Sequence, residues 1–86
     1  MSAAGDWLVL RKVLVKARGE RGLSQDAVAR QLRITRQALS AWEQGTNFPP
    51  ADKLFAWAVL VGVRIVPLLP PSELERAIEN CAKEDA

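Results

Sequence analysis

The stretch Gly22-Leu23-Ser24-Gln25-Asp26-Ala27-Val28-Ala29-Arg30-Gln31-Leu32-Arg33-Ile34-Thr35-Arg36-Gln37-Ala38-Leu39-Ser40-Ala41-Trp42-Glu43-Gln44-Gly45 decides the fold. Ser24 carries the short oxygen-bearing side chain that caps a helix N-terminus, and Asp26 in the next turn suits the helix dipole. A helix is predicted from about Gln25 to Leu32, with Val28, Ala29 and Leu32 inward and Asp26, Arg30 and Gln31 outward. So short a helix has little stability alone and must lean on a neighbour. Only Arg33 and Ile34 separate it from Thr35, the next capping residue. A further helix is predicted from Arg36 to about Gln44, closed by Gly45. Its inward positions are Ala38, Leu39 and Trp42, with Trp42 read as core; its outward positions are Arg36, Gln37, Ser40, Ala41 and Gln44. Two short helices on so tight a turn cross steeply, and Ala29 is small where they cross.

Working towards the N-terminus, Leu10, Val13, Leu14 and Ala17 repeat at helical spacing. They predict a helix from an Asp6 cap to about Arg21, ended by Gly22. Towards the C-terminus, Thr46 to Pro49 is a loop, and Pro50 suits the first position of a helix reaching about Val61. Leu54, Trp57, Ala58 and Val61 are its inward stripe, and Gly62 ends it. Val63 to Leu69 is β-branched and contains Pro67. It is predicted as an edge strand, with a short helix around Pro67 to Leu69 as the competing reading. After Pro70-Pro71, Ser72-Glu73-Leu74-Glu75 is a capping box, so a last helix is expected to start at Glu73. Leu74, Ala77, Ile78 and Cys81 form its apolar row.

Composition limits the chemistry. The 86 residues give room for one small domain. With no histidine and one cysteine, the usual zinc sites cannot be assembled within one chain, and no Ser–His or Cys–His pair can exist. No catalytic residue and no cofactor are expected. A lone cysteine fits a reducing, cytoplasmic setting. The apolar run ending at Val61 falls far short of the roughly 20 residues of a membrane span, and the N-terminus has no basic secretory-signal region. The net charge of +2 hides a segregation. Residues 1–64 carry +5 and residues 65–86 carry −3. Arg11 to Arg36 is densest, with eight basic residues against Glu20 and Asp26, a net +6. A basic surface of this kind suits a polyanion, although solvated helix faces give the same count.

Several spaced landmarks then agree in order: Arg18, Gly22-Leu23-Ser24-Gln25, Ala29, Trp42-Glu43-Gln44-Gly45, Pro49, and Val61-Gly62-Val63. On these residues the sequence resembles the Cro/repressor (XRE-like) helix-turn-helix family over roughly residues 10–63. The resemblance implies an all-α, five-helix, lambda-repressor-like fold, with a possible short dimerisation strand after the fourth helix and the helix-turn-helix DNA-binding domain in residues 1–63. It leaves residues 64–86 as a strand and helix extension for dimerisation or partner binding. It further implies that helix 36–44 reads the major groove, with Arg36, Gln37, Ser40 and Ala41 at base-reading positions. Those side chains suit the task, since Arg pairs with guanine, Gln with adenine, and a methyl group with thymine. A solvated polar face is the plain alternative.

Gln25, Thr35, Gln44, Thr46 and Asn47 correspond to the family's phosphate contacts, and Arg18 and Glu43 to its structural ion pair. Arg33 departs from the family pattern, which commonly has Gly where the turn wants positive φ. Either the turn is adjusted, or Arg33 offsets the strain by adding a cation beside the DNA backbone. For Arg11, Lys12, Lys16 and Arg21 a solvated charge is the expectation. Residues Arg64, Ile65 and Val66, or Leu74, Ile78 and Cys81, are the material for a dimer or partner surface; alternatively the last helix folds back to cap the domain. The expected partner is double-stranded DNA, a palindromic operator bound by a homodimeric repressor. An antitoxin that also binds a toxin, and a protein-interaction module that reads no DNA, are the alternatives.

Overall fold

A computed structural model of the chain describes residues 3–66 and 71–85. It contains five helices in the order α1 (Ala3–Glu20), α2 (Gln25–Leu32), α3 (Arg36–Gln44), α4 (Ala51–Val61) and α5 (Pro71–Asp85), and no strand among the described residues. The central pair forms for local reasons. The Ser24 hydroxyl accepts from the Ala27 N–H at 3.0 Å, and the Thr35 hydroxyl accepts from the Ala38 N–H at 3.0 Å. Each hydroxyl satisfies one of the backbone donors that a helix start leaves unpaired.

Helices α1 to α4 share one way of ending. A residue in the left-handed region follows the last turn: Gly22 (φ 69°), Arg33 (φ 58°), Gly45 (φ 80°) and Gly62 (φ 75°). The amide of the next residue then reaches back along the helix: Leu23 to Arg18 O, Ile34 to Ala29 O, Thr46 to Ala41 O and Val63 to Ala58 O, at 2.9–3.1 Å. This is the Schellman closure, which pairs carbonyls that the helix end would otherwise leave free. The turn between α2 and α3 is therefore not adjusted around Arg33. Arg33 accepts the left-handed conformation, at a cost of roughly 1–2 kcal/mol for a residue with a β-carbon.

Leu14, Val28, Ala29, Leu32, Leu39, Trp42, Trp57, Ala58 and Val61 form the buried core, drawn from α1 to α4. The Trp42 and Trp57 rings pack 6.1 Å apart at 36°, a tilted arrangement favourable to aromatic pairs. Trp7, Leu10 and Ala17 lie half-buried at its edge. With Leu14 they form the inward row of α1, so Val13, expected on that row, lies on its flank and is 44% exposed.

The sequence reading needs correction at three helix starts. Asp6 is not the α1 cap, because Ala3 and Ala4, strong helix formers, carry the helix further back. Pro50 is the cap of α4 rather than its first residue: its ψ of 152° is extended while its carbonyl already accepts from Leu54 N at 2.9 Å. Helix α5 starts at Pro71 rather than Glu73, because a proline with fixed φ and no N–H suits a first turn. Ser72 is thus inside the helix and does not cap it.

The expected strand is absent at residues 63–66, which have no regular structure. Val63 is used in closing α4, Val63 and Ile65 lie against the core, and Arg64 and Val66 face solvent. That alternation suits an extended segment laid on a core, and no strand is present among the described residues to pair with it. The competing short helix at Pro67 to Leu69 lies outside the described residues. The last helix does not fold back: among the described residues, α5 contacts none of the other four. The radius of gyration, 15.7 Å, accordingly exceeds the roughly 12 Å of a compact chain of this length.

Candidate nucleic-acid interface

The outward row of α3 presents an open polar surface. Arg36, Gln37, Ser40, Ala41, Gln44 and Thr46 line a shallow hollow of about 310 Å³. Arg36 and Gln37 are exposed and make no hydrogen bond or ion pair among the described residues. Gln44 donates through Nε2 to the Ser40 hydroxyl at 3.1 Å. Thr46 donates its hydroxyl to Ala41 O at 3.2 Å, and the Asn47 side-chain oxygen accepts from Phe48 N at 3.0 Å. These bonds shape the end of α3 and leave Arg36 and Gln37 free to bond outward.

Beneath this row, Glu43 fixes α3 to the domain. Its carboxylate accepts from Arg18 Nε at 2.7 Å, Arg18 Nη2 at 3.0 Å and Gln25 Nε2 at 2.9 Å. Arg18 Nη1 also donates to Leu23 O at 2.8 Å. One guanidinium thus joins α1, the turn before α2, and α3. The side chains are 19% and 6% exposed for Arg18 and Glu43, so the pair lies largely out of water. Removing one partner of such a pair strands the other, which costs far more than the net value of the pair. Gln25, expected at a phosphate, has its amide held by Glu43 and is half-buried at the start of α2. Thr35 is exposed, with its oxygen used as the α3 cap. Arg33 is exposed in its left-handed turn.

Three basic side chains that the sequence left unremarkable sit at helix C-termini. Lys53 Nζ donates to Leu32 O at 2.8 Å at the end of α2. The Arg11 guanidinium occupies the place that a β-carbon would take on Gly45, at the end of α3. Arg21 does the same at Gly62, at the end of α4. Helix C-termini carry partial negative charge, which draws cations to them. Arg11 is half-buried, so the expectation of a solvated charge does not hold for it, and the Arg21 head is also seated although the residue stays exposed. Lys12 is exposed, and Lys16 makes only a 3.7 Å surface pair with Glu20, a contact of small energetic value. Spacing along one helix carries no signal for these seats, because each joins residues from different helices.

At the far end, Ile65 is half-buried while Arg64 and Val66 are exposed. On α5, Ile78 is 60% exposed and Cys81 is exposed and free. Leu74 belongs to the same helix, with its side chain outside the described residues. Among the described residues no cluster of three or more Cys, Asp or Glu side chains could hold a metal, and no described helix is long and apolar enough to cross a membrane.

A family model described as a helix-turn-helix domain matches residues 12–69. The match takes in α1 from Lys12 through α4 and the segment after it, and stops before α5. No curated protein and no solved structure matches the chain.

Proposed function

The chain belongs to a Cro/XRE-type helix-turn-helix family, and from that premise we propose that it is a sequence-specific, DNA-binding transcriptional regulator, a cytoplasmic binding protein rather than an enzyme. The observation that carries this is the outward row on α3, where the Arg36 and Gln37 side chains line the hollow and make no hydrogen bond or ion pair among the described residues. An α-helix fits the major groove, whose base edges present a distinct donor and acceptor pattern. Arg36 and Gln37 read bases, with Ser40 and Ala41 making smaller contacts. Thr35, Gln44, Thr46, Asn47 and Arg33 hold phosphates, which orient the domain without carrying sequence information. Gln25 contributes through the start of α2, its side chain being occupied by Glu43.

Residues 1–63 form the DNA-binding unit and residues 64–86 the extension. A single domain reads few base pairs, so a homodimer on a palindromic operator is the economical arrangement. The uncovered row of α5, with Ile78 and Cys81 exposed, supports a partner at that end, and its net negative charge keeps it away from DNA.

Selection of bound sequences from a random duplex library tests the reading. A recurrent palindrome is expected. The double substitution Arg36→Ala, Gln37→Ala should then lose discrimination worth about 2 kcal/mol per base contact while keeping weak sequence-independent binding. Recovery of no enriched sequence would refute the proposal.

A further inference from the structure

We propose that Arg11, from α1, is a phosphate-binding residue of the same interface: it donates to a DNA phosphodiester at the C-terminal end of α3, beside Thr46 and Asn47. This inference rests on the DNA-binding reading above.

Three observations carry it. First, Arg11 is a permanently charged group that is half-buried yet unpaired. It makes no hydrogen bond or ion pair among the described residues, and its Nε is buried with no acceptor. Burying a charge without a partner is costly, and an unsatisfied buried donor in a folded protein calls for a reason. Second, its position is specific. The guanidinium lies in the space that Gly45 leaves by lacking a side chain, and the exposed Thr46 and Asn47 follow Gly45 in the chain. Third, the site has the wrong electrostatic sign without it. The last carbonyls of α3 present partial negative charge where this end of the helix would meet a DNA backbone. A guanidinium at that spot reverses the sign and offers the planar donor fork that fits a phosphate.

Arg21 is an internal control. It covers Gly62 at the end of α4 as Arg11 covers Gly45, but it sits at a helix that does not carry the α3 row. A purely structural role, neutralising a helix end, is open to both residues. Phosphate binding belongs to Arg11 alone.

Binding of wild type, Arg11→Gln, Arg21→Gln and the Arg36→Ala, Gln37→Ala variant is measured on the selected duplex and on a scrambled duplex across a range of salt. For Arg11→Gln the slope of log affinity against log salt should become shallower by about 0.9, with affinity falling by a similar factor on both duplexes. For Arg21→Gln the slope should be unchanged. An unchanged slope for Arg11→Gln, or an equal change for Arg21→Gln, overturns the inference while leaving the DNA-binding reading intact. Failure of wild type to bind DNA overturns both, and wild-type binding that survives in the Arg36→Ala, Gln37→Ala variant without loss of discrimination overturns only the base-reading claim. If Arg11→Gln does not fold, the Arg11 Nε–H resonance of wild-type protein is followed by NMR as duplex is added. A shift on binding is expected, and a resonance that does not move refutes the contact.

Discussion

The ends of α2 and α3 have the same backbone and opposite side-chain choices. Both pass through a left-handed residue and close with a backward hydrogen bond from the residue after it. At the end of α2 the left-handed position is Arg33, a strained choice, and the closing residue is Ile34, which packs on the core. At the end of α3 the left-handed position is the unstrained Gly45, and the closing residue is the exposed Thr46. The ends of α1 and α4 combine both stabilising choices, Gly22 with Leu23 and Gly62 with Val63. The two helices of the motif thus each give up one stabilising residue that the flanking helices keep. What each puts in its place is polar and exposed, a guanidinium or a hydroxyl, at a position proposed above to meet a phosphate. The difference fits a surface shaped for binding at a cost in stability.

Exchanging the residues tests this. Gly45→Arg copies the α2 choice onto α3 and should have the largest effect, lowering stability by about 2 kcal/mol in urea unfolding. The strain at φ 80° supplies that loss; the Arg11 head is flexible and can swing aside, though it loses its seat. Ile34→Thr gives the end of α2 the closing residue of α3. It should cost on the order of 1.5 kcal/mol from lost apolar burial and leave sequence preference on DNA unchanged. Arg33→Gly should do the reverse of Gly45→Arg, raising stability by about 1 kcal/mol while weakening DNA binding at low salt. If stability rises and affinity holds, Arg33 has no place at the backbone. Thr46→Val should change stability by less than about 0.5 kcal/mol and lower affinity on all duplexes alike, as loss of a phosphate contact does.

What could be read from the sequence follows from how local each cause is. The bounds of α2 and α3 were legible because Ser24, Thr35 and Gly45 act on backbone groups within a few residues of themselves. The inward stripes were legible because helical spacing sets them, apart from Val13, where the neighbouring row through Trp7 faces the core instead. The starts of α1, α4 and α5 differ from the expected ones by one to four residues, since alanines and prolines there compete with the more obvious caps. Arg33 posed a choice that sequence alone could not make, because it depends on whether the crossing of α2 and α3 can move. The seats of Arg11, Arg21 and Lys53 were invisible, since each needs the relative placement of two helices. The α5 row reads the same whether its partner is its own domain or another chain, and only the fold shows that, among the described residues, no other helix contacts α5.

All three tryptophans, Trp7, Trp42 and Trp57, lie in α1, α3 and α4, and none lies in α5. Among the described residues α5 has no contact with the other helices, and a helix of 15 residues is marginal in water. Heating a dilute sample should therefore separate two optical signals. Far-ultraviolet ellipticity should begin to fade as α5 frays, while indole emission stays at its native wavelength until the core melts. Any partner that binds α5 would bring the two curves back together, so their separation gives a label-free assay for whatever that helix meets.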